Sequence, residues 1–228
     1  MKIGGIAKTT LLDYPGHVAA TVFTAGCNFL CPFCYNRDLA ENNIADSELI
    51  SEDELFAFFA KRKNILSGIC ISGGEPTLQD DLADFIRRMK DLGYLVKLDT
   101  NGYRPDVIEM LLKEKLLDYI AIDIKGTIAK YPTLCGIEEI KIAELEKSFK
   151  LVKHSGINHE FRTTVIRELH TVDDLITIGQ QLSGSEWYLQ AYEENENVLK
   201  KGYTSYSDAE LAEIIATLQQ EKIAVKLR

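Results

Sequence analysis

Short runs rich in β-branched and aromatic residues alternate with helical runs along almost the whole chain, and this rhythm limits the fold more than any other feature. Residues 17–25 read as a strand, and a helix follows from about residue 52, where Ser51 and Glu54 form a capping box ahead of the apolar stripe Leu55, Phe58 and Phe59. Strand 68–73, helix 80–92, strand 95–100, helix 105–116 with Pro105 in its first turn, and strand 119–125 come next. Helix 138–154, strand 159–165, helix 173–182, strand 186–192, helix 207–221 and a last run 223–227 complete the series. Strands separated by helices of this length need crossover connections, so the expected fold class is α/β with parallel strands.

Six βα units make either an open doubly wound sheet or a partial barrel, and side-chain parity separates the two. In residues 119–125, Ile120, Ile122 and Ile124 share one face, while Tyr119, Ala121, Asp123 and Lys125 share the other. A strand covered by helices on both sides is apolar on both faces. The same split recurs with Lys97, Asp99 and Asn101 against Val96 and Leu98, with Glu160, Arg162 and Thr164 against Phe161 and Val165, and with Tyr188, Gln190 and Tyr192 against Trp187, Leu189 and Ala191. One apolar and one polar face on several strands fits a barrel wall whose lumen holds a polar ligand, whereas a closed eight-fold barrel fills its lumen with aliphatic side chains. The expectation is a (β/α)6 partial TIM-type barrel, and a length of 228 residues suits a single domain over 1–228.

Three of the five cysteines, Cys27, Cys31 and Cys34, fall within eight residues. Thiols this close oxidise together or share a metal. A cubane cluster takes a thiolate on each iron, so three cysteines leave one iron open to another ligand. The competing reading is a zinc site completed by His17 or His154, against which stands the absence of a second Cys-x2-Cys knuckle. Cys70, in an apolar run, reads as core; Cys135 lies in an irregular segment and reads as either exposed or structural.

The opening residues carry no apolar signal region and no run reaches the ~18 apolar residues of a membrane span, so the expected location is the cytoplasm, where thiols stay reduced. A net charge of −9 repels a phosphate backbone, and neither nucleic acid nor membrane is an expected partner.

The run Cys27-x3-Cys31-x2-Cys34, with Phe33 before the last cysteine, resembles the cluster loop of the radical S-adenosylmethionine (AdoMet) superfamily. About forty residues on, Ile71-Ser72-Gly73-Gly74-Glu75-Pro76 resembles the superfamily's Gly-Gly-Glu-Pro turn. The resemblance implies a [4Fe-4S] cluster on Cys27, Cys31 and Cys34 whose open iron chelates AdoMet, the cluster's electron cleaving the sulfonium to a 5′-deoxyadenosyl radical. It implies too that Gly73, Gly74, Glu75 and Pro76 hold the AdoMet amino group. Paired glycines at a strand end also let backbone approach a ligand without Cβ interference. Two strands end in Asp99-Thr100-Asn101-Gly102 and Asp123-Ile124-Lys125-Gly126. This region resembles the activating enzyme of pyruvate formate-lyase, where the matching residues position the AdoMet carboxylate, partly through a monovalent cation. Asp99, Asn101, Asp123 and Lys125 are the corresponding candidates, with Lys125 expected between the two carboxylates; Arg162, inward by parity, suits the same carboxylate. Salt bridges between neighbouring strands are the alternative use of these charges. Phe33 and Tyr35 flank the last thiolate, where an adenine ring could stack, and Asn36 either contacts the adenosine or caps the loop.

Within the superfamily, Ile3-Gly4-Gly5-Ile6-x3-Thr10-Leu11-Leu12-Asp13-Tyr14-Pro15-Gly16, followed by the cysteine loop, resembles the activating proteins of anaerobic ribonucleoside-triphosphate reductase. The chain departs from relatives at Tyr35 and at Ala191-Tyr192-Glu193, where histidines are common. Asp13-Tyr14-Pro15-Gly16 reads as a turn that sets the next strand edge-on to the barrel. The resemblance implies a glycyl radical enzyme as protein substrate and a flavodoxin- or ferredoxin-type electron donor. A short chain without an appended substrate domain, and an incomplete barrel with a lateral gap, suit a glycine-bearing loop of a larger partner. Two alternatives stand: a radical AdoMet enzyme acting on a small molecule, as in deazapurine synthesis, and a cluster-bearing sensor or electron-transfer protein.

Overall fold

The structure, a computed structural model, describes all 228 residues, Met1–Arg228. The strands are β1 (Ile3–Thr10), β2 (Ala19–Thr24), β3 (Gly68–Gly73), β4 (Leu95–Thr100), β5 (Tyr119–Asp123), β6 (Asn158–Val165), β7 (Trp187–Ala191) and β8 (Lys226–Leu227). The helices are α1 (Arg37–Ala40), α2 (Glu52–Arg62), α3 (Leu82–Asp91), α4 (Pro105–Lys113), α5 (Tyr131–Cys135), α6 (Ile142–Lys153), α7 (Val172–Gln181) and α8 (Asp208–Gln220). No helix is long and apolar enough to cross a membrane. The chain divides into two compact units: residues 1–28, 38–121 and 143–158 form one, and 29–37, 122–142 and 159–228 the other.

In the first unit the strands lie in the order β1-β2-β3-β4-β5. β1 pairs antiparallel with β2, whereas β2–β3 and β3–β4 are parallel, with Thr21 opposite Cys70 and Cys70 opposite Lys97. Helix α2 starts at the expected capping box: Ser51 Oγ accepts from Glu54 N–H at 3.3 Å, and Glu54 Oε2 accepts from Ser51 N–H at 3.2 Å. Its Leu55 and Phe59 are buried with Phe85, Ile86 and Met89 of α3 and with Ile69, Ile71, Val96 and Leu98 of the strands. Each such side chain contributes about 1.5–3 kcal/mol by leaving water.

The sequence reading did not mark β1 as a strand. Its Gly4 lies under side-chain tips: a Cβ there would stand 2.4 Å from both Ile44 Cδ1 and Leu39 Cδ2, which would have to move aside. The turn at residues 13–16 forms as expected, with Gly16 at φ +79° and His17 N–H donating to Tyr14 O at 3.1 Å. The strand that follows it is not an edge, however; β2 is paired on both sides.

In the second unit the order is β5-β6-β7-β8, with β6–β7 and β7–β8 parallel. Trp187, Leu189, Phe161, Val165, Leu175, Ile178, Leu211 and Leu218 are buried there, and Trp187 Nε1–H donates to Thr163 Oγ1 at 3.1 Å. The segment around Cys135 is ordered as α5, stopped by Gly136 in the left-handed region at φ +65°.

Candidate functional site

The turn after β3 is fitted to backbone. Gly73, at φ +115°, lies so close to β2 that a Cβ would stand 2.3 Å from Thr24 N, and a Cβ on Gly74 would stand 2.2 Å from Gly26 O. Gly74 N–H donates to Thr24 O and Glu75 N–H to Gly26 O, both at 2.8 Å. The paired glycines therefore clamp the turn to the segment that delivers Cys27.

Glu75 follows directly in the chain. Its carboxylate is 1% exposed and accepts from Thr77 N–H (3.0 Å), Thr77 Oγ1 (2.5 Å), Thr100 Oγ1 (2.7 Å) and Asn101 N–H (2.7 Å). Three of these donors meet Oε1 and one meets Oε2, which keeps acceptor capacity. Burial pushes its pKa up despite those bonds. Glu75 ties the end of β4 to the glycine turn, and Pro76 begins the short 3-10 turn behind it.

On β4, Asp99 pairs with Lys97, fully buried two residues earlier on the same face. Asn101 lies against the first cysteine: its Nδ2 donates to Asn28 Oδ1 at 2.8 Å and stands 3.9 Å from Cys27 Sγ.

In the second unit, Cys31 and Cys34 are joined by a tight turn, Cys34 N–H donating to Cys31 O at 2.9 Å. Backbone contacts hold this loop from two directions. Leu30 N–H donates to Cys135 O (2.8 Å), and Lys200 N–H donates to Pro32 O (2.8 Å). A Cβ on Gly136 would stand 2.1 Å from Leu30 O, so only glycine ends α5 there. A hydrogen bond between the thiols of Cys31 and Cys135 lowers the Cys31 pKa against the opposing effect of burial, and the Lys125 ammonium helps. Burial raises that of Cys34, whose sulfur accepts the Asn36 backbone N–H.

Beside these thiols stands a charge triad. Asp123 Oδ1 accepts from Arg162 Nε and Nη2, both at 2.9 Å, and Oδ2 pairs with Lys125 Nζ at 3.2 Å. Burial opposes the charge on Asp123, but Arg162 and Lys125 outweigh it and hold the carboxyl far below its ordinary range. Burial likewise opposes the charge on Lys125, and Asp123 with the thiols of Cys31, Cys135 and Cys34 keeps it protonated. One carboxylate between two cations leaves the triad with one net positive charge, suited to a bound anion such as a carboxylate. The Lys125 backbone is gripped at both ends: its N–H donates to Tyr131 Oη (3.2 Å), and its carbonyl accepts from His170 Nε2 (2.8 Å). Neither Tyr131 nor His170 was marked from sequence; the His170 contact spans 45 residues, and nothing local announces it.

Phe33 is 4% exposed and belongs to the core, not to an open rim. Tyr35 stacks on Tyr192 (centroids 6.0 Å apart, 18° between planes), and its hydroxyl accepts the Glu193 N–H at 3.3 Å. It borders a cavity of about 310 Å³ lined by Thr164, Gln190, Glu193, Asn195 and Arg228.

No three His, Cys, Asp or Glu side chains converge as around a single metal ion. His17 bonds Ser67 and His154 the Lys150 carbonyl, so the zinc reading lacks its fourth ligand. A cubane spreads its thiolates over separate irons. The donor set fits one: three thiols on an eight-residue loop, none in a disulfide, with a buried amide nitrogen of Asn28 left unpartnered beside Cys27.

The family model of the radical SAM superfamily matches residues 21–177. A protein of Methanocaldococcus jannaschii described as a "putative glycyl-radical enzyme activating enzyme" is 35% identical over 201 residues, 84% of this chain and 80% of that protein. Among solved structures, Streptococcus suis SuiB bound to S-adenosylmethionine superposes with a TM-score of 0.69 at 16% identity, over 89% of this chain; the chain spans 47% of SuiB, about half its length. A domain of the pyruvate-formate lyase-activating enzyme from Bacteroides vulgatus gives a TM-score of 0.58 at 16% identity, over 71% of this chain and 99% of that one. These likenesses give the fold, an α/β partial barrel with parallel strands. With the family match over more than half of its length, the chain belongs to the radical SAM superfamily, enzymes that bind a [4Fe-4S] cluster and S-adenosylmethionine.

Proposed function

We propose that this enzyme activates a glycyl radical enzyme, anaerobic ribonucleotide reductase being the preferred partner. Cys27, Cys31 and Cys34 hold the cluster in this reading, and the Asp123–Lys125–Arg162 triad receives the carboxylate of AdoMet, with or without a monovalent cation. The observation that carries the AdoMet part is this triad, one charge in excess and within electrostatic reach of Cys31 and Cys34. When bound, the cluster supplies the electron that cleaves AdoMet. The protein's own part is positional. Glu75 and the glycine turn fix the Cys27 end of the loop, while Gly136 and the Lys200–Pro32 bond fix its second half. Lys97 is an ion-pair partner of Asp99 on the same face of β4.

The partner assignment rests on the likeness to the M. jannaschii protein across most of both chains. The test mixes the reduced chain and AdoMet anaerobically with the ribonucleotide reductase of the same genome and records the electron paramagnetic resonance spectrum. A glycine-centred doublet, lost when that glycine becomes alanine, is the expected result. No doublet with any glycyl radical enzyme of that genome, together with 5′-deoxyadenosine release on adding a small molecule alone, would move the assignment to a metabolite enzyme.

A further inference from the structure

The carboxamides of Asn28 and Asn101 form a short relay beside Cys27 whose orientation the hydrogen bonds determine. Asn101 Oδ1 accepts the Tyr103 N–H at 3.0 Å, which turns its Nδ2 toward Asn28. Asn28 must therefore present its oxygen, and it accepts at 2.8 Å. A flipped Asn28 would set two NH2 groups against each other. The remaining group, Asn28 Nδ2, is buried and without a partner.

Leaving a buried donor unpaired costs about 1–3 kcal/mol, and such exceptions ask for a reason. Here the neighbourhood supplies one. Cys27 is the adjacent residue, and its Sγ is 4.0 Å from the oxygen of the same carboxamide. As a metal ligand Cys27 is a thiolate and donates nothing, so a bound cluster brings a set of anionic sulfurs to a place that holds a spare N–H donor. The neighbouring side-chain acceptors are engaged elsewhere: Glu75 accepts from Thr77, Thr100 and Asn101 N–H, and Asn101 Oδ1 from Tyr103 N–H.

We infer that Asn28 Nδ2 donates a hydrogen bond to a sulfur of the cluster, on its Cys27 side, and so sets the cluster's reduction potential. The inference rests on the reading that Cys27, Cys31 and Cys34 hold the cluster. A donated hydrogen bond favours the more negative, reduced cluster, which raises the potential. Losing it should shift the reduction equilibrium about tenfold toward the oxidised form, or about 59 mV for a one-electron couple.

The experiment is a redox titration of the reconstituted full chain, without AdoMet, followed by paramagnetic resonance, for the parent and Asn28→Ala. The expected result is a lower midpoint in the variant at equal iron content. A parental midpoint at equal iron content overturns the inference and leaves the cluster assignment standing. A parental midpoint with weakened AdoMet binding assigns the donor to AdoMet and overturns it too. A parent chain that takes up no cluster overturns the cluster reading and this inference with it. If only the variant fails to load, an Asn101→Ala chain with asparagine 15N-labelled in the side-chain amide decides: a 15N hyperfine coupling in the reduced cluster is expected, and its absence overturns the inference.

Discussion

Lys125 shows how single residues make this site. Its ammonium faces Asp123 and the thiols, while its backbone is held by Tyr131 and by His170, which is 1% exposed. His170 Nδ1 accepts the Ile166 N–H at 3.1 Å, so the ring is neutral, with its proton on Nε2 toward the Lys125 carbonyl. Burial lowers its pKa below the ordinary 6.5, and a second ring proton would face the Ile166 N–H. The folded state therefore binds this proton more weakly than the unfolded chain. The stability that the neutral ring contributes is complete above about pH 6.5 and is lost as the pH falls below it. Glu75, raised by burial, has the opposite sign, so the informative comparison is between parent and variant at each pH. Urea midpoints of the metal-free chain should fall between pH 7.5 and 5.5, and His170→Ala should flatten that slope. It should also cost about 1–3 kcal/mol for each of the two backbone groups left unpaired. An unchanged slope in the variant would remove His170 from this role.

At the scale of elements, what could be read in advance was what is written locally. Ser51 with Glu54 announced α2, Pro105 opened α4, and the two-residue period placed Asp123 with Lys125, and Lys97 with Asp99, on shared faces. What could not be read depended on pairing across the chain. β1 carries two glycines that weaken a strand signal, and it is a strand because β2 lies beside it. The five residues of α5 hold a proline and end on Gly136, whose reason is Leu30, more than a hundred residues away. Site chemistry divided the same way. The charges were visible, but that Glu75 accepts from backbone and hydroxyl donors, and that Cys135 meets Cys31, followed only from the structure. One consequence for the end of β5 is testable. Lys125→Met reduces the triad from one excess positive charge to none while Asp123 keeps its two bonds from Arg162. AdoMet binding, measured anaerobically by equilibrium dialysis, should weaken about tenfold or more, as loss of a charged partner worth at least 1.4 kcal/mol requires, with the absorption of the cluster unchanged. Parental affinity would return these charges to a structural role.

On the scale of the whole molecule, the division into two units does not follow the pattern of separate domains. Domain boundaries fall in exposed linkers. Here the chain passes between units at 28/29, 37/38, 121/122, 142/143 and 158/159, and four of these points lie inside α1, β5, α6 and β6. Neither unit is one continuous piece, and neither can lose its structure without fraying an element that continues into the other. We propose on this ground that residues 1–228 unfold as one domain. Trp187, the single tryptophan, is buried in β7 and reports on the second unit. The amides of Ile69, Cys70 and Ile71 in β3, all fully buried, report on the first by hydrogen exchange. In increasing urea, Trp187 fluorescence and protection of these amides should be lost at one midpoint with one free energy of opening. Protection of β3 persisting after the tryptophan signal has fully changed would show two domains that unfold independently.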